Sequence, residues 1–392
     1  MTRVTLLQTG ARHDYAMARF LHRDGMLQRL YTDFALGAGA LPELLRRIPF
    51  PPAIKGPLER RITRDIPGAL IDNAVYRRFE DRQAPIEPWP IQHRDAIETD
   101  LYYAQYYCGA YGLRDRLPRE VKIVSDVFVI PSTHTIVNAE ADAFPEWNEP
   151  RFGAETCARM EQFTSVMLAD SDTLFCPARS VIDDIARIDP ALVAKCVLVP
   201  YGSSMRFAEA ATPVPGRVLF AGALSLRKGV HYLNEAAALI ARIDPAIQFV
   251  FAGHFSPEVR ELMSGDNIEL LGQVSRERLA QEFLKADVFA FPSLAEGSAG
   301  TALEALAAGL PLVTTRSAGV DFDDGEAGLY VDERNSEQLA EAILKVVHDR
   351  ALRQHLSDGA RRHSLSYGMA EWQKSYCDNI RKAAGLQVDQ AG

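Results

Sequence analysis

Apolar and β-branched positions in the second half of the chain fall into short runs, at 218–221, 248–252, 268–271, 288–291, 312–315 and 329–331. Most of these runs stop at glycine, proline or serine. Between them, 230–243 and 301–308 repeat apolar residues at helical spacing. Continuous apolar strands alternating with helices predict βα units around a parallel sheet buried on both faces. The first half is less regular. There, 4–7, 121–130, 173–176 and 197–199 read as strands, and 16–24 and 151–168 as helices. A proline-broken stretch at 41–57 and a tyrosine-rich stretch at 102–111 lie between them.

The prolines at 213 and 215 disfavour helix around themselves, and a fresh strand pattern begins just beyond, so a boundary is expected near residue 212. The chain then divides into an N-terminal domain (1–211), a second domain (212–365) and a closing segment (366–392). That segment carries a helix at 370–384, which Trp372 and Tyr376 are expected to pack down. A length of 392 residues suits two domains of roughly 150–200 residues each.

Charge and cysteine usage narrow the function. A formal charge of −9 argues against a nucleic-acid partner, which usually meets a basic field. The five cysteines are scattered and form no CxxC pair, so neither a disulfide framework nor a zinc site is expected, and a reducing cytoplasm fits best. The first apolar run stops at Gln8, too soon for a signal peptide, and no run approaches the roughly 20 apolar residues of a spanning helix.

The richest stretch is 287–315, which reads as strand, loop, helix, turn, strand. Ser298 suits a helix N-cap, Gly309 a left-handed C-terminal position, and Pro311 blocks continuation. In open α/β sheets ligands sit beyond the carboxyl ends of strands, where the loop 294–300 falls. Gly297 and Gly300 allow backbone to approach a ligand. The free amides near Ala299–Thr301, with the helix dipole, suit a phosphate. Glu296 in the loop and Glu304 in the helix face one cleft if the helix is oriented that way, and a carboxylate there accepts from a vicinal diol. Taken alone, Glu304 equally fits a surface residue that compensates the dipole.

The order Pro-Ser, Glu296-Gly, then Glu304-Ala-Leu-Ala-Ala-Gly-Leu-Pro resembles the Glu-(seven residues)-Glu motif of glycosyltransferase family 4, retaining GT-B enzymes. A second stretch, Phe220 to Gly229 with Gly222, Arg227 and Lys228, is similar to that family's Gly-Arg-Leu…Lys-Gly loop. The resemblance covers about 196–332 and includes Val274, in the segment similar to the one whose backbone holds the nucleotide base. It implies an α/β chain of GT-B type, with two Rossmann-like domains facing a central cleft and the last helix crossing back to the first domain. The implied activity is metal-independent, cofactor-free transfer from a nucleotide-sugar donor to a saccharide, lipid-linked or other small acceptor, in cell-surface glycan or glycolipid synthesis. Arg227 and Lys228 would neutralise the donor diphosphate, Glu296 contact the donor sugar and Glu304 bind the ribose. Gly10, Gly222, Val274, Gly297, Ser298, Gly300 and Thr301 complete the implied donor site. Two departures stand out: Ser298-Ala299 replaces the usual Phe-Gly, and Ala223 stands where many members carry arginine. They keep open a catalytically silent nucleotide-sugar binder, and the fold itself also serves sugar-nucleotide epimerases.

The acceptor half says less. Gly10 follows the first strand, where the family has a glycine-rich loop. His13, Asp126 and His134 are cleft candidates, His134 because it follows a strand's end, although a structural loop histidine fits as well. The segment 43–64 interleaves Arg46, Arg47, Lys55, Arg60, Arg61 and Arg64 with Leu44, Leu45, Ile48 and Phe50. It suits either peripheral contact with an anionic membrane or a solvated loop. The tyrosines at 102–111 suit either sugar stacking or a helix face packed in the core.

Overall fold

The computed structural model describes residues 2–73, 99–106, 113–207 and 211–386. Its strands are β1 (Val4–Gln8), β2 (Leu27–Thr32), β3 (Leu36–Ala38), β4 (Ile62–Pro67), β5 (Ile71–Asn73), β6 (Leu101–Gln105), β7 (Lys122–Asp126), β8 (Thr173–Cys176) and β9 (Cys196–Leu198). They continue with β10 (Arg217–Ala221), β11 (Gln248–Ala252), β12 (Ile268–Gly272), β13 (Val288–Phe291), β14 (Leu312–Thr314) and β15 (Gly328–Tyr330). Two sheets result, ordered β5-β2-β1-β6-β7-β8-β9 and β12-β11-β10-β13-β14-β15, beside a small β3-β4 pair. Within both large sheets the pairings are parallel. Each sheet grows outward in both directions from its first strand, the doubly wound order that opens a crevice where the winding reverses. Those two points are β1/β6 and β10/β13.

Helices cover the sheets: α1 (Ala16–Arg23), α2 (Ala40–Arg47), α3 (Pro52–Glu59), α4 (Thr133–Ala143), α5 (Ala154–Asp170) and α6 (Arg179–Ile188) in the first half. In the second lie α7 (Val230–Ile243), α8 (Pro257–Leu262), α9 (Arg276–Lys285), α10 (Gly300–Ala307), α11 (Ser336–His348), α12 (Arg350–Ser364) and α13 (Met369–Ala383). The second sheet's centre is apolar throughout, from Val218–Ala221 across Phe249–Phe251 to Val288–Phe291, as its continuous runs predict.

α13 returns to the first domain. Trp372 packs edge-on against Phe20 and Tyr376 against Tyr103, both fully enclosed with the first sheet's core. The two chain crossings between domains touch each other. Ser203 donates its amide to the Tyr367 carbonyl (2.8 Å) and forms a parallel bridge with Gly368. Gly202 permits this contact, because a Cβ there would lie 2.8 Å from the Gly368 carbonyl oxygen.

Three expectations need correction. The strand expected over 121–130 ends at Asp126; Val127 to Ile130 stay largely buried but bend toward the second domain. Tyr102 and Tyr103 lie on strand β6, not on a helix, because a central strand covered on both faces takes aromatics on both sides. Tyr107 and Tyr111 lie outside the described residues. The stretch 41–57 folds as two short helices, and Arg61 is held by Asp33 (2.6 Å), so it is not free for lipid.

One element crosses the division between sheets. The start of α4 is fixed to the first domain, where Ser132 donates its amide to Asp184 (2.9 Å). Its end is sunk in the second. There Glu140, 2% exposed, meets His231 (3.0 Å), the Tyr232 hydroxyl (2.9 Å) and Arg334 Nε (2.6 Å). Trp147 and Phe144 close over His231. Burial alone would raise the Glu140 carboxyl, but hydrogen bonds from His231, Tyr232 and Arg334 outweigh it and hold its pKa below the ordinary value.

Candidate active site

The turn after β10 carries two cations. Ser225 caps it only by position, with no side-chain bond, and Leu226–Lys228 form one short turn ended by Gly229 in the left-handed region (φ 66°). A Cβ on Gly229 would sit 2.0 Å from the Pro292 carbonyl oxygen, so glycine lets this turn press on the loop after β13. The Leu294 amide and the Ser293 hydroxyl both bond to the Arg227 carbonyl (2.9 and 3.2 Å). The turn and the loop are thereby one unit.

Glu296 is the centre of that unit. Its Oε1 lies 2.7 Å from Lys228 Nζ and 2.9 Å from Arg227, which also donates to the Ala295 carbonyl at 2.5 Å. Lys228 passes over Gly222, where its tail lies 3.3 Å from the position of an absent Cβ, and its ammonium rests 4.8 Å from the Phe291 ring centre. Burial is the larger influence on Lys228 and lowers its pKa, against the opposing pull of Glu296. Lys228 and Arg227 share the one carboxylate of Glu296.

Glu304 stands apart, in a cavity of about 270 Å³ between the domains, with Ser298, Gly300 and Leu303 on one wall and His13, Tyr201 and Trp372 on the other. Burial raises its pKa, and Arg276 at 3.8 Å opposes that weakly. Arg276, which the sequence reading missed, also donates to the Ser204 hydroxyl (3.0 Å); its position two residues after Val274 was the available signal. Val274 itself is half-buried and does not line the cavity.

Several expected donor contacts take other partners. Ser298 does not cap α10: the residue at that position is Ala299, and no side chain bonds the free amides. Thr301 spends its hydroxyl on the Ala221 carbonyl (2.9 Å), tying α10 to the end of β10. Gly297 admits a close approach of the first domain's backbone, because a Cβ there would lie 1.8 Å from the Phe128 carbonyl oxygen. Gly309 does adopt the left-handed conformation (φ 73°).

Across the cleft, Gly10 is left-handed (φ 69°) and donates its amide to Asp33 (2.9 Å). His13, Asp14 and Tyr15 follow with φ of 49°, 51° and 59°, a strained run that brings His13 between Tyr201 (4.7 Å) and Trp372 (5.1 Å). Burial, with Arg12 nearby, lowers the His13 pKa to about 3, so the ring is neutral, and its Nε2 has no hydrogen-bond partner. His134 lies in the first turn of α4, 3% exposed and 3.4 Å from Glu161; it does not line the cavity because the strand expected to carry it ends at Asp126.

Asp126 sits beneath the cleft at the end of β7, accepting from the Tyr201 hydroxyl (2.7 Å) with its second oxygen unpartnered. Burial raises its pKa from 3.8 to about 6, against the pull of Arg12. Because the folded value is the higher, the folded state binds the extra proton. This stabilisation is complete below pH 3.8 and is lost as pH rises through about 6. Asp126→Asn should flatten unfolding free energy against pH over that window; a slope unchanged from wild type would refute the assignment.

Among the described residues no three histidine, cysteine or acidic side chains converge to hold a metal ion. Nor is any helix among them long and apolar enough to cross a membrane.

Residues 204–363 match the model of the family described as glycosyl transferases group 1. The chain is similar to that family over this domain, and its two facing doubly wound sheets give it the GT-B fold of solved glycosyltransferases. An uncharacterised glycosyltransferase of Methanocaldococcus jannaschii is 30% identical over 161 residues, which span 40% of this chain and 44% of the relative, less than half its length. A D-inositol 3-phosphate glycosyltransferase of Paenarthrobacter aurescens is 26% identical over 339 residues, 79% of this chain and 81% of that one. In fold, the chain resembles the Anabaena protein HepE, crystallised with UDP and glucose, with a TM-score of 0.61 at 14% identity, covering 97% of this chain and 99% of that one.

Proposed function

We propose that the chain transfers a glycosyl group from a nucleotide-sugar donor to a glycan, lipid-linked or other small acceptor, with retained anomeric configuration and without a metal ion. The observation that carries this reading is the part-buried cluster of Lys228, Arg227 and Glu296 where the second sheet's winding reverses. Two cations sharing one carboxylate carry a net positive charge in a partly desolvated place. A diphosphate would take over both and stabilise the charge developing on the leaving phosphate. Glu296, released from them, accepts donor-sugar hydroxyls. Glu304 accepts the ribose diol, with Arg276 at 3.8 Å opposing the effect of burial on its carboxyl. The complexes of HepE with UDP and glucose are consistent with such a donor.

The division into 1–211, 212–365 and 366–392 belongs to the same proposal, the first part supplying the acceptor wall. So does peripheral membrane contact, now through Leu44, Ile48 and Ile54, all exposed beside Arg47, Lys55, Arg60 and Arg64. Co-sedimentation with phosphatidylglycerol vesicles, lost in Leu44→Asp/Ile54→Asp, would support that contact; equal sedimentation of both proteins would remove it.

The test of the activity is a thermal-shift screen across nucleotide sugars, followed by product analysis with the stabilising donor in EDTA. Glu304→Gln should weaken that donor about tenfold, the loss expected for a charged hydrogen bond to a diol. Donor epimerised without transfer, an inverted product, or activity abolished by chelation would each overturn the corresponding part of the reading.

A further inference from the structure

α1 and α13 form one wall of the cleft and then continue beyond it. A second cavity, of about 360 Å³, lies in the groove between them and is bounded by Arg19, Phe20, Arg23, Met369, Ala370 and Gln373. Arg19 and Met369 border both cavities, so the two adjoin. Arg19 and Arg23 are one turn apart on α1 and so share a face. No carboxylate lines the groove. Arg23 has a counter-ion outside it, Asp65 at 3.0 Å, with both side chains partly exposed. Arg19 is half-buried and, among the described residues, has no ion-pair or hydrogen-bond partner. Three other arginines at this end of the molecule are ion-paired, Arg61 with Asp33, Arg381 with Asp24 and Arg276 with Glu304, while Arg12 lies over the Phe128 ring.

A guanidinium held against a groove without a carboxylate suits a planar or tetrahedral anion, which it binds by paired hydrogen bonds. The adjoining cavity is lined by neutral His13, whose Nε2 is buried without a partner, so a small turn of the ring would present it to one hydroxyl. Asp14, exposed, also borders that cavity but not the groove, so it does not neutralise the groove's own charge.

We propose that the acceptor is an anionic polyol or sugar, with its phosphate or carboxylate in the α1–α13 groove on Arg19 and Arg23, and a hydroxyl against His13. This rests on the transferase reading above, because it assigns the first domain's side of the cleft to the acceptor. The donor's own phosphates are assigned to Arg227 and Lys228, so the two anion sites are separable by mutation.

The experiment is titration of the full-length protein with D-glucose 6-phosphate, with D-glucose as the uncharged control and inorganic phosphate as the minimal anion, followed by calorimetry. Phosphatidylglycerol vesicles form a parallel arm, since a lipid headgroup carries the same anion. Glucose 6-phosphate or the vesicles should bind wild type and Lys228→Ala alike. Binding should weaken about tenfold in Arg19→Ala and further in Arg19→Ala/Arg23→Ala, as expected for loss of charged hydrogen bonds. Arg19→Lys should restore part of it, and circular dichroism of each variant checks the fold. Arginine-dependent binding of the soluble ester makes the acceptor a soluble phosphate; dependence seen only with vesicles makes it a lipid headgroup. Equal binding in the arginine variants, loss in Lys228→Ala instead, or no binding by any anion overturns the proposal. Donor binding that responds to Lys228→Ala and Glu304→Gln but not to Arg19→Ala would leave the transferase reading standing even then.

Discussion

Lys228→Ala should lower the rate of donor use by about 10²–10³-fold, the cost of removing one preorganised charge from a site of developing negative charge. The fold should survive, because Glu296 keeps Arg227 at 2.9 Å and the turn is held by backbone bonds from the Leu294 amide to Arg227 and from the residue 228 amide to the Ser225 carbonyl. Lys228→Arg should not rescue it. The lysine tail lies over Gly222, 3.3 Å from the missing Cβ, and the longer, planar guanidinium would carry its charge to a different point. The check is initial rates with nucleotide affinity measured in parallel: a fall in kcat larger than the rise in Kd marks charge stabilised mainly in the transition state. Rates within threefold of wild type would dismiss Lys228 from the chemistry.

The largest effect on stability should come from Glu140→Ala. That substitution leaves the buried His231 ring and Tyr232 hydroxyl without their partner, at a cost of about 1–3 kcal/mol for each group left unsatisfied, while Arg334 keeps Glu333. Glu140→Gln keeps one acceptor oxygen and should cost less. Since Glu140 belongs to an element anchored in the first domain, its loss should also weaken coupling between the domains. Calorimetry is then expected to show a broadened or split transition where wild type gives one. The sign of the pH effect follows from its lowered pKa: the stabilisation is present above the ordinary carboxyl range and is lost on acidification through the folded value. A midpoint for Glu140→Ala equal to that of wild type would show that the cluster does not contribute.

The second domain was legible because its strands are covered on both faces. Such strands are apolar without interruption, so 249–252 and 288–291 stand out against any helix. Leu27–Thr32 did not, because Gln28 and Arg29 interrupt it near the sheet's edge. The apolar run after Asp126 looked like more strand because Val127 and Ile130 are buried. Their burial comes from the bend that carries Phe128 to Gly297, a long-range contact with no local pattern. The same limit applies to the site. Lys228, Arg227, Glu296 and Glu304 lie in short motifs and could be found one loop at a time. Arg276, Glu140 and the arginines of α1 acquire significance only from partners, present or absent, on distant parts of the chain. Ser298 shows the opposite error: a residue type suited to a cap sits one place too early, and Ala299 takes the position.

The return of α13 also changes how the second domain is attached. In chain order it is an insert between β9 and α13, tethered by two strands of backbone, and those tethers are bonded together at Ser203, Tyr367 and Gly368. A domain on one tether can tumble, whereas one on two adjacent tethers swings like a door about the line joining them. Exchanging the donor half for that of another enzyme would therefore require two matched junctions. A graft cut only near residue 212 would leave Trp372 and Tyr376 from the wrong parent facing the pocket lined by Phe20 and Tyr103.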